Sequence, residues 1–253
     1  HPPRKVPISL KESLKKELDK MEQQKIIAKV TEPTEWVSSL VVVQKPNSGK
    51  LRICLDPRDL NRAILRPHYP SRTIEDILPE LSGAKYFTKM DAKSGYWNLK
   101  LNDQSSFLTT FNTPFGRYRY LRLPFGLKSS QDEFQRKMDE SYEGLEGVIT
   151  LEDDILVFGK TREEHDRRLQ AVLIRSRERG IKLNKDKLET GLTQVRYFGH
   201  LLTQKGIQPD PEKVRAVTTM KEPTNKSELE TFLGMVTYLS KFTPNLSEIT
   251  SPL

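Results

Sequence analysis

The sequence has little of several features that would send its interpretation elsewhere. A single cysteine, Cys54, in 253 residues excludes an internal disulfide framework. The four histidines, His1, His68, His165 and His200, lack Cys/His ligand spacing, which excludes a structural zinc. Apolar runs are short: the longest, Leu40-Val41-Val42-Val43 within Trp36–Val43, falls far below the ~18–20 residues that span a bilayer. No basic patch followed by an apolar core opens the chain, so no signal peptide is read and the sequence reads as an excised fragment. There is no phosphate-binding G-x-x-x-x-G-K-[ST] loop, because Asn47-Ser48-Gly49-Lys50-Leu51 lacks the upstream glycine and the hydroxyl. An EF-hand loop and a G-x-S-x-G elbow are also absent, and Cys54 reads as a small core residue of a strand.

What is present is length, charge and periodicity. The chain is long enough for one large domain or two smaller ones, and its 35% hydrophobic residues cluster periodically, which excludes disorder throughout. Forty-two Lys and Arg against thirty-four Asp and Glu leave +8, favouring a polyanionic partner, nucleic acid or anionic membrane, without choosing between them.

Ser9-Leu10-Lys11-Glu12 reads as a capping box, followed by Leu14, Leu18 and Met21 on one helical face. Trp36–Gln44 and Lys50–Leu55 form a hairpin across Lys45-Pro46-Asn47-Ser48-Gly49, with Leu51, Ile53 and Leu55 on one side of the second strand. A short helix opens at Thr73 to Asp76 and stops near Gly83; the strand Tyr86–Met90 then ends at Asp91. Ser130-Gln131-Asp132-Glu133 caps a helix carrying Phe134, Met138 and Tyr142. The strand-like runs Val148–Leu151 and Ile155–Phe158 flank Glu152-Asp153-Asp154, which presents adjacent acids at a hairpin tip. A helix over 161–179, with Leu169, Val172 and Leu173 as its apolar stripe, precedes strands near 181–183 and 195–202. Helices then start at Asp210-Pro211 and at Ser227.

Two carboxylates at a hairpin tip with a third at another strand end suit a hard divalent cation and phosphoryl transfer. On spacing alone, Asp153-Asp154 reads more readily as an ordinary polar turn, because acids are common in turns. The order of several motifs carries more. Trp36-Val37-Ser38-Ser39, Leu51-Arg52-Ile53-Cys54-Leu55-Asp56-Pro57-Arg58-Asp59-Leu60-Asn61, Lys89-Met90-Asp91-Ala92-Lys93-Ser94-Gly95-Tyr96-Trp97, Leu123-Pro124-Phe125-Gly126-Leu127 and the Asp153-Asp154 block resemble, in this order, the reverse transcriptases of gypsy-type (metavirus) long-terminal-repeat retrotransposons. The resemblance runs on through Tyr197-Phe198-Gly199-His200 to Phe232-Leu233-Gly234.

It implies an α+β right-hand polymerase with fingers, a palm of antiparallel sheet backed by helices, and a partial helical thumb. Residues 1–70 and 102–129 would form fingers, 71–101 and 130–206 palm, and 207–253 the start of a thumb. The implied activity is RNA-directed DNA polymerisation, extending a primer on an RNA or DNA template from deoxynucleoside triphosphates, with two Mg2+ ions for which Mn2+ can substitute. By the resemblance Asp91, Asp153 and Asp154 form the metal-binding catalytic triad and Lys187 protonates the leaving pyrophosphate. Lys45 and Arg52 hold the triphosphate, Tyr96 excludes a ribose 2′-hydroxyl, and Phe125 and Gly126 pack around the nucleotide. Phe198, Gly199 and His200 grip the primer. The structural alternatives stand beside these roles: core aromatics at Tyr96 and Phe125, an exposed lysine at 187, a turn residue at 200. Ribonuclease H and integrase domains are implied downstream in a parent polyprotein, with cytoplasmic element particles as the location and neither secretion nor a membrane.

One departure stands out. The family places an aromatic or aliphatic and then a small or aliphatic residue before the two aspartates, whereas this chain has Leu151-Glu152. A carboxylate beside the triad repels like charge in a partly desolvated site, so Glu152 compromises activity if it faces inward, and Glu152→Val should then raise the extension rate. The competing reading is a decayed or host-adopted copy that keeps the fold and binds nucleic acid without polymerising.

Overall fold

The computed structural model describes residues 4–44, 51–70, 72–242, 245 and 248. Helix α1 (Ile8–Gln23) lays Leu14, Leu18 and Met21 on one buried face. Its start differs from expectation: Pro7 is the N-cap and no side chain caps the helix, so Ser9 lies inside the first turn. The turn after α1 leads into β1 (Ile27–Val30), and β2 (Ser39–Gln44) pairs with β3 (Leu51–Asp56) in the expected hairpin. Two short helices follow, α2 (Arg58–Ala63) and α3 (Ile74–Ile77), the second closed by the reciprocal Thr73–Asp76 capping box. Strand β4 (Tyr86–Asp91), α4 (Asp103–Leu108) and the hairpin β5 (Phe111–Thr113) and β6 (Gly116–Tyr120) come next, β6 pairing back to β1.

Helix α5 (Ser130–Tyr142) begins one residue after its Ser129 N-cap, and the Ser130 hydroxyl donates to the Pro124 carbonyl (2.8 Å) instead of capping. The hairpin β7 (Val148–Leu151) and β8 (Asp154–Gly159) precedes α6 (Arg162–Arg179), which Thr161 caps and Gly180 ends in a left-handed conformation. Leu173 is exposed, so the buried stripe of α6 runs through His165, Val172 and Ser176. Strands β9 (Glu189–Leu192), β10 (Gln194–Tyr197), β11 (His200–Thr203) and β12 (Gly206–Pro209) replace the two strands expected there; Leu183 makes only an isolated bridge to Ala92. The described part ends in α7 (Pro211–Thr218) and α8 (Lys226–Tyr238), neither of which buries a residue.

The central sheet, in the order β7-β8-β4-β9, is antiparallel throughout. Alternation along its strands builds two cores. Phe87, Leu151, Leu156 and Phe158 face Val195, Tyr197 and Leu202 of the β10-β11-β12 sheet, while Met90, Ile155 and Val157 face Phe134, Met138 and Val172 on α5 and α6. A third core joins α1 to β1, β3, β5 and β6. Among the described residues no helix is long and apolar enough to cross a membrane.

Candidate active site

The central sheet brings two distant acids into register. Asp91, last in β4, pairs directly with Asp154, first in β8, and the Ala92 N–H donates to the Asp153 carbonyl (2.7 Å). Directly paired side chains lie on one face, so Asp91 and Asp154 share the face turned away from α5 and α6. Asp153 occupies the two-residue turn with Glu152. Burial, then the charges of Asp91, Asp154 and Glu152, push the Asp153 carboxyl up to about 6, with Lys187 opposing. Such crowding of acids is the electrostatic mark of a place that wants positive charge.

Two ammonium groups supply part of it. Lys187 Nζ lies 2.7 Å from Asp91 Oδ2, and that hydrogen bond raises the lysine above its ordinary range. Lys89 Nζ lies 3.0 Å from Asp154 Oδ2. The Asn184 N–H fixes the Asp91 carbonyl (2.8 Å). Among the described residues, no three His, Cys, Asp or Glu side chains form a closed metal cage. The donor set, carboxylates alone, still fits Mg2+, which is commonly held by one or two carboxylates with substrate phosphates completing the shell. Asp91, Asp153 and Asp154 are the carboxylates present for it, two of them ion-paired here, Asp91 with Lys187 and Asp154 with Lys89.

Gly95 lets the turn close down on the acids. It is buried at the start of the 3-10 turn Gly95–Asn98, and a Cβ there would run into Asp153 Oδ1 and come within 2.9 Å of Phe134 Cζ. Tyr96, the next residue, is half-buried with its ring centroid 4.7 Å from Phe125 and 5.3 Å from Phe134. Tyr96 and Phe125 thus form one aromatic cluster beside the acids. Gly126 has φ +108°, and a Cβ would strike the Leu55 carbonyl of β3. Asn61 fastens the same segment, donating to the Gly126 carbonyl (2.9 Å) and accepting from the Lys128 N–H (3.0 Å).

Glu152 turns away from the acids. It is exposed, with φ +53°, and its Oε1 accepts from Gln131 Nε2 on α5 (2.9 Å). Phe198 and Gly199 form the turn between β10 and β11, both with positive φ (+47° and +74°). Phe198 is exposed, whereas His200 is buried beneath the turn, its Nδ1 donating to the Phe198 carbonyl (2.8 Å) and its ring 5.4 Å from that of Tyr238. Of the two cations expected to hold a triphosphate, Lys45 lies outside the described residues. Arg52 is on β3 opposite Val43, its side chain likewise outside them.

Sequence reasoning missed Lys89 and the close-approach role of Gly95. Strand alternation carries the first, since Lys89 is two residues before Asp91 and so shares its face. The second had no linear signal, because Asp153 is far away in sequence.

Comparison with known proteins bears on the whole of this arrangement. The family model described as reverse transcriptase (RNA-dependent DNA polymerase) matches residues 43–202, more than half the chain. The chain is 34% identical over 218 residues to the retrovirus-related Pol polyprotein from transposon 297 of Drosophila melanogaster, covering 84% of this chain and 21% of the relative. With the Pol polyprotein from transposon opus of the same organism it shares 34% identity over 253 residues, covering 98% of the chain and 25% of the relative. It therefore spans about a quarter or less of the curated relatives it matches. Among solved structures, a foamy viral protease-reverse transcriptase in complex with double-stranded DNA superposes with TM-score 0.89 at 25% identity, covering all of this chain and 44% of that one. The α+β polymerase fold is thus that of this chain.

Proposed function

Because this chain belongs to the reverse transcriptase family, and within it resembles Pol polyproteins of gypsy-type retrotransposons, we propose that it extends a primer on an RNA or DNA template. The observation that carries the reading is the convergence of Asp91, Asp153 and Asp154, from two strands far apart in sequence, with burial and then the neighbouring acids raising the Asp153 carboxyl to about 6. A deoxynucleoside triphosphate is the substrate. The primer 3′-hydroxyl gives its proton to water as its oxygen forms the new bond to the α-phosphorus, the bond from that phosphorus to the bridging oxygen breaks, and pyrophosphate leaves.

Bound Mg2+ supplies Lewis-acid stabilisation of the charge on attacking and leaving oxygens. The chain's own residues do the remainder. Asp91 and Asp153 would hold the cations, with Asp154, paired to Lys89, beside them as the third acid. Lys187, kept protonated by Asp91, carries the proton the leaving pyrophosphate needs. Tyr96, wedged between Phe125 and Phe134, is a rigid wall against a 2′-hydroxyl. Phe198 and Gly199 contact the primer strand while His200 supports them from below. Lys45 and Arg52 engage the triphosphate.

In this reading residues 1–70 and 102–129 are fingers, 71–101 and 130–206 palm, and 207–253 the beginning of a thumb. The short share of each polyprotein relative that the chain spans leaves room for ribonuclease H and integrase domains downstream. The solved relative's complex with double-stranded DNA supports a primed template as the ligand. Glu152 favours the second reading, a binding remnant; its tether to Gln131 and the intact triad favour the enzyme.

The test is extension of a primed RNA template with deoxynucleotides in Mg2+ and in Mn2+, beside an Asp153→Asn control. Extension that falls on the order of 10³-fold in the control supports the enzyme. Tight primer–template binding without extension in either ion would establish the remnant instead.

A further inference from the structure

Among the described residues strand β7 is the outermost strand of the central sheet, and the backbone groups on its outer side face no other strand. At the end that carries the acids, one side chain takes the place of a strand. Gln135, on α5 and 3% exposed, donates from Nε2 to the Thr150 carbonyl (3.0 Å) and accepts at Oε1 from the Glu152 N–H (2.8 Å). The carbonyl of one residue and the N–H two residues on are the groups a neighbouring strand would bind, so the carboxamide serves as a single inserted peptide group. Its Nε2 also donates to Asp139 Oδ1 (2.8 Å), which accepts from the Thr150 hydroxyl as well. Asp139 Oδ2 in turn accepts from the Tyr69 hydroxyl (2.9 Å). These partners permit one orientation of the amide: reversed, its oxygen would face a carbonyl and a carboxylate, and its NH2 would face an N–H.

The restraint falls where the backbone needs it. Glu152 has φ +53°, a conformation that an L side chain keeps only under local constraint. Asp153 follows immediately, and the same turn delivers its carbonyl to the Ala92 N–H beside Asp91 (2.7 Å).

We propose that Gln135 is a positioning residue for nucleotidyl transfer: by bonding Thr150 and Glu152 it fixes the turn that sets Asp153 against Asp91. The proposal rests on the polymerase reading above. It assigns the function to a buried amide that touches neither nucleotide nor cation.

Gln135→Met keeps length and bulk and removes both bonds to β7. The expected result is a fall of about 100-fold in kcat for single-nucleotide extension, the scale of a ~1 Å misplacement, with KM for nucleotide and primer–template little changed. The Glu152 amide should also lose hydrogen-exchange protection, read by NMR. Tyr69→Phe is the comparison, since it removes a hydrogen bond from the same network while leaving both bonds to β7; it should lower Tm and keep kcat. Unchanged kcat and unchanged Glu152 protection in Gln135→Met would overturn the proposal, as would equal losses of kcat in the two variants at equal losses of Tm. Should the wild-type chain not extend a primer, the polymerase reading itself fails, and the exchange measurement decides whether Gln135 holds the turn: retained protection sinks that claim too.

Discussion

Two hairpin tips, Glu152-Asp153 and Phe198-Gly199, are built alike and supported differently. Each is a two-residue turn, closed by the pairs Leu151 with Asp154 and Tyr197 with His200. Each holds a non-glycine residue at positive φ, Glu152 at +53° and Phe198 at +47°. The first tip grows from a sheet covered on both faces, in which Ile155 through Phe158 are all buried. The second grows from the small β10-β11-β12 sheet and is clasped from outside by α8, a helix without a buried residue. Its clasp is polar: the Tyr238 hydroxyl donates to the Gly199 carbonyl, and Lys213 Nζ lies 3.7 Å from the Tyr238 ring centroid. Local stability follows buried apolar contact. The acids therefore stand on continuous core on both faces, whereas the aromatic tip, which we propose meets the primer, rests on core on one side and on a few breakable contacts to α8 on the other.

The glycines beside the tips should break this comparison most sharply. Gly95→Ala drives a Cβ into Asp153 Oδ1 and against the buried Phe134 ring, so Asp153 must shift. Single-turnover extension should fall by about 100-fold, and thermal melts should show a loss of about 1–3 kcal/mol from overpacking. At Gly199 the nearest atom to an added Cβ is Lys213 Nζ at 2.6 Å, the free end of a flexible chain. Gly199→Ala should then cost mainly its backbone conformation at φ +74°, about 1–2 kcal/mol, with little change in rate. Equal rate losses in the two variants would show that both tips are equally rigid.

The acidic tip should also declare itself through pH. With its carboxyl raised to about 6 from an ordinary 3.8, folded Asp153 binds its proton more tightly than the unfolded chain does. Stability is thus lost as pH rises from about 4 through about 6, and the loss is complete above that. In chelator, Asp153→Asn should match the wild type in Tm below pH 4 and exceed it by on the order of a few degrees above pH 6. A difference in Tm that does not vary with pH would remove the crowding argument. The aromatic tip contains no comparable group, and its sensitivity should lie in the clasp. Tyr238→Phe deletes the bond to the Gly199 carbonyl, worth about 1 kcal/mol. Primer–template affinity should fall about fivefold by titration, with kcat retained.

How far the sequence anticipated these features depended on how local their causes are. The acidic hairpin was legible because alternation in Val148–Leu151 and Ile155–Phe158 and the acids between them lie within a dozen residues. The helix read as opening at Thr73 formed, closed by a capping box the sequence reading had not named, whereas the Ser9 box did not form, because Pro7 begins the helix earlier. Strand β1 went unread since its cause is β6, far along the chain: Ile27 pairs with Tyr120. The β9 to β12 region was compressed into two strands because its turns are tight and its strands only four residues each. In the site, Asp91, Asp153, Asp154 and Tyr96 were named by motif. Lys89, Gly95 and Gln135 act through neighbours that only folding supplies.

Glu152 is the smallest expected effect and the finest test of how rigid the acidic tip is. From sequence its carboxylate threatened the triad and Glu152→Val was the natural probe. The structure changes both judgements. The carboxylate is exposed and bonded to Gln131, so its charge reaches Asp153 only as a lesser contribution, behind burial, Asp91 and Asp154. At φ +53° a β-branched valine would add backbone strain, and any gain from losing the charge would be obscured. Glu152→Gln removes the charge alone. An exposed charge interaction of about 0.2–1 kcal/mol converts to a rise in extension rate of at most about fivefold, and it should shrink in high salt. A larger, salt-independent rise would mean that the carboxylate swings inward when a primer binds, and that the tip is looser than its bonds to Gln131 and Gln135 imply.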